Sequence, residues 1–467
     1  MQEKYDVVII GAGIGGLVCG CYLAKAGLRV LIVEKNDKPG GYCTSFERDG
    51  YRFDVGIHYL GGIKRGILGK ILKELEVKDK IKFNQIDPTD KIIMPNNICH
   101  IRANPYDTIE EFKKNFPKEK ITIERFFKFI MEEDLLKIYK KIANLTFKKL
   151  LDGFFEDYKL KATLGILSAN LGLPPSQISA VAAFILFKEF ILDPGYYPIG
   201  GMGKFSFVLA QYFKKYGGHL ILNKKVEKLL VKKDEVKEVI VEKNEPVRGK
   251  FIVSNIDATY LFNNLIKKNT IEREKIKYLK PSSSLFVVYL GLKDEIGIQP
   301  ICNYWVSSTY DINFNKKNNI EKINFFMLSF PFYYDNSKVS NFSPTLQIYL
   351  VVPFISESFW KRKKKFLMER VIAIINEKYF SLNDKIKIKL CATPADFYKI
   401  TFNKQGSTFG WSSIPAQIFP HVFPQETSLR NLILVGQWCT TGSGQGGIPK
   451  VAFTGKKASE IILRRFK

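Results

Sequence analysis

The sequence predicts an α/β fold: a Rossmann-type dinucleotide-binding domain, with a parallel sheet and βαβ units, interleaved with a mixed α+β domain that has a helical part. Three observations predict it. The first forty residues hold a strand, a glycine-rich turn, a helix and a second strand closed by an acid. Residues 431–465 repeat the order strand, glycine turn, helix. Much of residues 108–192 carries helical apolar spacing instead of further βαβ units. A chain of 467 residues also exceeds one ordinary domain and suits two.

Tyr5–Ile10 is a β-branched run suited to a parallel strand buried on both faces. Gly11-Ala12-Gly13-Ile14-Gly15-Gly16 follows, then a helix over Leu17–Ala26 capped by Gly27, and a second strand Leu28–Val33 closed by Glu34. Gly11 permits the tight turn and Gly13 lets the backbone approach a pyrophosphate. Gly16 lets helix and strand pack closely, and the helix start, with Gly15, aims free N–H groups at the phosphates. Glu34 is placed to accept from a ribose 2′-hydroxyl, which disfavours the 2′-phosphate of NADP.

The residues that follow separate FAD from NAD. Lys35–Phe46 contains a second glycine pair, Gly40-Gly41, and Gly50–Tyr59 continues it. This continuation resembles the glutathione reductase-like flavoproteins with two dinucleotide-binding domains, in which a Gly-Gly loop runs along the ribityl chain. Phe53-Asp54-Val55-Gly56-Ile57-His58-Tyr59-Leu60-Gly61 resembles the phytoene desaturase, carotenoid isomerase and retinol saturase superfamily. Its Gly-Ile-His-Tyr version is nearest the retinol saturase-like branch. The resemblance implies FAD as cofactor, contacted at this end by Gly11, Gly13, Gly15, Gly16, Glu34, Lys35, Gly41, Thr44, Ser45, Gly56, Ile57 and His58.

Arg65–Val77 and Thr108–Phe116 read as amphipathic helices, and Ile121–Tyr158 as one long helical stretch. Pro174-Pro175 marks a turn, with Ser176 as an N-cap. Ile178–Leu192, nearly uncharged apart from Lys188 and Glu189, reads equally as a core helix or as one wall of an apolar tunnel. Tyr196-Tyr197-Pro198-Ile199-Gly200-Gly201-Met202 resembles the family turn that returns the chain to the flavin domain. A helix Lys204–Tyr216 and strands His219–Asn223 and Val226–Val231 follow. The resemblance implies that Val226 bonds the adenine through its backbone. Phe251–Ser254 with Asn255 and Asp257 matches the family's strand and Asn-x-Asp turn. The match weakens over 300–390, where Glu357–Tyr379 is a helix with a basic face. The expected division is 1–85, 200–275 and 395–467 for the FAD domain, and 86–199 and 276–394 for the substrate domain, whose helical part is expected to face a membrane.

Asn431–Gly436 is a strand that leads into a glycine cluster and a helix Val451–Arg465, again aiming N–H groups at an electron-rich ligand atom. The resemblance implies that Gly436, Gln437, Gly446, Gly447 and Ile448 close the FAD site near the pyrimidine edge of the flavin. Relatives carry an acid where this chain has Gln437, so the site holds one negative charge fewer.

Lys and Arg number 72 against 46 Asp and Glu, a formal charge of +26. No nucleic-acid reading module accompanies that charge, so a nucleic-acid partner is not expected. Anionic lipid headgroups attract such a surface at about 1 kcal/mol per well-placed cation, which favours a peripheral membrane protein over a merely soluble basic one. Seven scattered Cys and four His predict no metal site, and Met1–Lys4 leads into a strand, unlike a signal peptide. No apolar run reaches the length of a membrane-spanning helix, and the expected location is cytoplasmic and membrane-peripheral.

Members of the resembled superfamily move hydride between flavin N5 and a carbon of a hydrophobic isoprenoid or polyene, so an apolar tunnel is expected. His58 and Glu189 are the candidate catalytic groups, the first beside the flavin, the second on the most apolar helix. Each has a structural alternative, His58 within the fold and Glu189 at a solvent margin. Tyr59 and Trp438 either line the ring pocket or pack. Three functions stay open: a carotenoid or isoprenoid desaturase, isomerase or saturase, with a quinone or other electron partner; a flavin amine oxidase; and a non-catalytic FAD-containing membrane module.

Overall fold

β1 (Lys4–Ile10) pairs in parallel with β2 (Val30–Val33), from Val7 opposite Val30 to Ile10 opposite Val33, and α1 (Ile14–Lys25) crosses between them. Ten residues of α1 are buried, Ile14 to Cys21 with Leu23 and Ala24, because the helix lies between the sheet and another helix. Its small residues allow that: a Cβ at Gly20 would stand 2.9 Å from Ile32 Cδ1. These features belong to a computed structural model, which describes residues 4–298, 302–314, 317–335, 342–418, 422–439 and 447–466.

On its other side β1 pairs in parallel with β3 (Glu245–Ser254), and Leu432–Leu434 adds in parallel to the end of β3. His219–Ile221 extends the sheet beyond β2, and the antiparallel pair Val226–Lys232 and Glu235–Val241 extends it beyond β3. The ends Ile10, Val33, Ser254 and Leu434 therefore reach one edge, where open α/β sheets hold their ligands.

A second seven-stranded sheet runs in the order Ile386–Ala392, Ser284–Leu292, Thr345–Val352, Phe325–Ser329, Asn303–Ser307, Asp90–Met94, Asn97–Ile101. All its neighbours are antiparallel except Asn303–Ser307 against Asp90–Met94. Every residue of Ser284–Leu292 is buried, and the period of two sorts them. Phe286, Val288 and Leu290 join the core shared with the first sheet, while Leu285, Val287 and Tyr289 join the core under the helical layer.

The helical layer departs from the sequence expectation in its breaks. The stretch expected as one helix over 121–158 is three, Lys120–Glu132, Leu135–Ile142 and Phe147–Asp152. Asp134 and Thr146 cap the second and third by accepting from the N–H of Leu136 and Lys149, competition that apolar spacing alone does not reveal. Ser176 caps nothing; its hydroxyl bonds Asn313 at 2.7 Å. Ser179 caps α2 (Ala180–Leu186) instead, once the turn after Pro174-Pro175 has run to the bridge between Ser179 and Thr146. A π-helical turn, Phe187–Ile191, prolongs α2. Among the described residues no helix is long and apolar enough to cross a membrane.

α3 (Ile448–Phe466) packs along α1 and starts three residues earlier than the sequence suggests. A Cβ at Gly455 would stand 3.0 Å from the backbone nitrogen of Cys19. Gly455 thus lies beside Gly15 and Cys19, the next residue Lys456 reaches the Tyr22 ring further along α1, and Phe466 at the far end meets Phe251, so the two helices run in the same direction.

Candidate active site

One cavity of about 780 Å³ begins at the glycine turn after β1 and continues between the second sheet and the helical layer. Gly13 and Ile14 line its first part, where α1 starts with no side-chain cap and its leading N–H groups face outward. Gly11, with φ of +95°, makes the turn. Gly15 and Gly16 do not line the cavity; they allow close approach. A Cβ at Gly15 would lie 3.0 Å from the Gly436 nitrogen, and one at Gly16 would fall on the Gly11 carbonyl oxygen. The turn thus has the shape a phosphate-binding backbone needs.

Glu34 is buried at the end of β2. One carboxylate oxygen accepts from Ala12 N at 2.8 Å, the other from Asn36 N at 2.9 Å and Asn36 Nδ2 at 2.8 Å. A carboxylate offers about four acceptor sites, so one remains for a ribose hydroxyl. Lys35 is held beside it, its amine 3.9 Å from the Phe402 ring centre. Gly41, Gly56, Ile57 and His58 all line the cavity, as do Gly436, Gln437, Gly447 and Ile448; Gly446 lies outside the described residues.

Three residues placed at the cofactor by resemblance are not among those that line this cavity. Neither Thr44 nor Ser45 lines the cavity. The Ser45 hydroxyl donates to Asp54 at 2.6 Å and accepts from Gly203 N at 2.8 Å, and so ties the N-terminal loop to the returning turn. Val226 opens its strand opposite Val241 with its side chain in the core, and the cavity wall there is Glu34, Lys35 and Asn36.

Asn255 lines the cavity and is a functional position the sequence analysis left without a role. Its Nδ2 donates to Gly11 O at 3.2 Å, and a Cβ on Gly13 or Gly436 would meet its amide at 2.7 or 2.6 Å. The amide therefore holds the amino- and carboxy-terminal glycine turns to a common spacing. Its Asn-x-Asp turn, on a strand parallel to β1, was the available signal.

Beyond the glycine turns the walls become apolar. Ala182, Phe184, Ile185 and Leu186 come from α2, and Leu285, Trp305, Phe325, Met327, Tyr349 and Val351 from the second sheet. This settles the open reading of 178–192 in favour of both alternatives, since α2 is core on one side and cavity wall on the other. His58 stands where the two parts meet. Its ring is 4.7 Å from Tyr59, 6.0 Å from Trp305 and 6.2 Å from Tyr349, centre to centre. Burial pushes its pKa down to about 4 despite a hydrogen bond with Asn170, so the imidazole is neutral at pH 7, and its Nδ1 is buried without a partner among the described residues.

Behind these rings lies a buried acid. Asp90 accepts from Trp305 Nε1 at 2.7 Å and from the Tyr59 hydroxyl at 3.1 Å, and burial pushes its pKa up to about 7. Trp438 also lines the cavity, oriented by its Nε1 donating to Asn403 Oδ1 at 3.1 Å. Glu189 lies on the π-helical turn, half-buried, its pKa raised by burial and next tempered by Lys188. At this helical end the lining surfaces at Arg65, Lys70, Asp134 and Leu136, all exposed.

The model of the NAD(P)-binding Rossmann-like domain matches residues 9–75. Over the whole chain the sequence is 24% identical to an all-trans-retinol 13,14-reductase of Rattus norvegicus, covering 86% of it. It is 26% identical to prolycopene isomerase 1 of an Oncidium hybrid cultivar, over 97% of this chain and 83% of the relative. It is 24% identical to a 4,4′-diapophytoene desaturase of Methylomonas, over 100% and 97%. Among solved structures, an oxidoreductase from Methanosarcina mazei superposes with a TM-score of 0.71 at 15% identity, covering 98% of this chain and 100% of that one. A redesigned putrescine oxidase superposes with 0.71 at 14% identity over 99% of each. These structures share the fold. Together with the relatives, the Rossmann unit indicates a flavin-type cofactor.

Proposed function

We infer, from the chain's membership of the phytoene desaturase, carotenoid isomerase and retinol saturase-like superfamily of flavin-dependent oxidoreductases, that it binds FAD and exchanges hydride with a long apolar polyene or isoprenoid. The observation that carries this is the single cavity, which joins a dinucleotide cradle to an apolar arm. Glu34 and the start of α1 suit the adenosine and pyrophosphate that FAD has and FMN lacks. When bound, the flavin supplies a hydride acceptor or donor at N5.

The chain's residues do the rest. Phe184, Trp305, Phe325 and Met327 exclude water and hold a featureless chain by packing. His58, neutral and with a free Nδ1, bonds the cofactor or orders the substrate at the junction instead of storing charge. Glu189, its proton more firmly held than that of a surface carboxyl, is the candidate acid or base of the wall. Around Trp305 and Phe325 the described lining residues are aromatic and aliphatic, and Asp90, bonded to Trp305, stands behind the wall and does not line the cavity, which disfavours an ammonium substrate and the amine oxidase reading. The two sheets follow the proposed division into an FAD domain and a substrate domain.

We place the substrate's entrance at Arg65, Lys70 and Leu136. Leu136 is 86% exposed beside lysines 137, 140 and 141, and the chain is strongly cationic, which suits an anionic membrane from which an apolar substrate would enter. The electron partner, a quinone or another carrier, would serve desaturation or saturation, whereas isomerisation is redox-neutral.

The test is anaerobic. Oxidised and pre-reduced protein are incubated separately with phytoene, a poly-cis carotene and retinol in liposomes. A polyene that gains or loses two hydrogens, or changes configuration, only with flavin present supports the reading. No change in any arm, with flavin bound, favours the non-catalytic module.

A further inference from the structure

Lys450 is the third residue of α3 and lines the cavity wall. Its amine is buried and has no hydrogen-bond partner among the described residues. The other cations of the helix differ: Lys456 bonds Glu74, Lys457 bonds Glu460, Arg464 bonds the Glu460 carbonyl and Arg465 bonds Glu426. The ionisable group acting on Lys450 is the Cys439 thiol, which burial keeps neutral by pushing its pKa up to about 12. An amine buried without an anion destabilises the fold, as its pKa of about 8 reflects, and gains from any anion that reaches it.

Its place along α3 indicates which anion. Gly455 packs against the first turns of α1, level with the phosphate-binding turn. Because the helices run in the same direction, Lys450 lies five residues nearer the sheet's ligand edge, roughly 7–8 Å along the axis at about 1.5 Å per residue. Pro449 beside it abuts Gly62, which also neighbours the Glu189 backbone. Lys450 thus stands past the phosphates, at the ring end of the dinucleotide.

We propose that Lys450 is the cationic partner of the flavin's pyrimidine edge and favours the reduced over the oxidised flavin. With flavin bound, hydride transfer would break a C–H bond of the polyene and form N5–H; the polyene, oxidised by two electrons, would lose its second hydrogen as a proton to Glu189 or water, and the reduced ring would carry one negative charge on N1–C2=O. The ammonium meets that charge without giving up a proton, adding to the field of the α3 N-terminus. This rests on the FAD reading above.

The experiment uses the full-length flavoprotein with Lys450→Met, Lys450→Gln and Lys450→Arg, reading flavin content and the midpoint potential by spectroelectrochemistry. Lys450→Met and Lys450→Gln are expected to keep the flavin yet lose at least roughly tenfold of the preference for its reduced form, about 30 mV for a two-electron couple. Lys450→Arg is expected to stay near the wild type. Lys450→Gln keeps a polar, extended side chain and carries the test if Lys450→Met does not fold. An unchanged potential in flavin-bound Lys450→Gln overturns the proposal. So does a tenfold loss of oxidised-flavin affinity at unchanged potential, which would assign the amine to the phosphates. A wild-type protein that takes up no flavin overturns the FAD reading instead.

Discussion

Asp90→Asn should stabilise this protein at alkaline pH and scarcely change it near pH 4. The carboxyl accepts from Trp305 Nε1 and from the Tyr59 hydroxyl, and its folded pKa of about 7 lies well above the ordinary aspartate value of 3.8. Below 3.8 both folded and unfolded chains hold the proton, and Asp90 adds no pH dependence. Between 3.8 and 7 the unfolded chain has released it while the folded chain retains it, so stability falls as pH rises. Above 7 both have released it and the penalty is complete, roughly 4 kcal/mol at about 1.4 kcal/mol per pH unit. Asparagine mimics the protonated acid, its Oδ1 accepting from Trp305 and its Nδ2 donating to Tyr59. With an unfolding entropy of about 2.1 cal/mol/K per residue, a chain that unfolds as one unit would gain roughly 4 °C in Tm at pH 8 and under about 1 °C at pH 4. Differential scanning calorimetry of both proteins at pH 4, 6 and 8 makes the comparison. Taking the difference between them removes His58, whose depressed pKa works in the opposite sense: its stabilisation is complete above about 6.5 and is lost as pH falls towards 4. A variant less stable than wild type at pH 8 by an amount independent of pH would refute the reasoning.

Four further outcomes follow from packing and surface chemistry. Asp54→Ala leaves the Ser45 and Tyr197 hydroxyls and Met202 N without their acceptor, and should lower stability by about 3–5 kcal/mol in denaturant titration. Gly16→Ala drives a methyl into the Gly11 carbonyl, a backbone atom that cannot rotate aside, so retained flavin should weaken by roughly tenfold or more in equilibrium dialysis. Leu136→Asp should cut liposome partitioning by roughly tenfold, since burying a Leu is worth about 1.5–3 kcal/mol. For the wild type, liposome binding should weaken with added salt and with removal of anionic lipid; indifference to both contradicts the electrostatic part.

The two glycine turns were legible in the sequence because they are backbone demands. Gly11, Gly13 and Gly16 sit where a side chain would collide or the turn would not form, and such demands leave a fixed spacing in the chain. The second sheet was less legible, since Asp90 and Trp305 meet across 215 residues and neither carries a local pattern. The breaks at Asp134 and Thr146 were hidden because short-range capping outweighed a continuous apolar spacing. Ser45 shows a related ambiguity: a hydroxyl beside a glycine loop suits a cofactor or a neighbour equally, and here buried Asp54 accepts from it. Lys450 lay one residue ahead of the expected helix and next to a basic cluster, so nothing local set it apart from surface lysines. Only its burial and its missing partner do.

The central claim is that one cavity holds a flavin at one end and a polyene at the other. Its most direct measurement is an anaerobic single turnover, following the flavin absorbance while one equivalent of lipid-dispersed polyene is added. The account predicts that oxidised flavin bleaches, or pre-reduced flavin regains its absorbance, in proportion to a two-hydrogen change in the polyene or, in an isomerase, that configuration changes in only one flavin redox state. A purified protein that carries no flavin, or a flavin-loaded protein that leaves every polyene unaltered in both redox states, would contradict it.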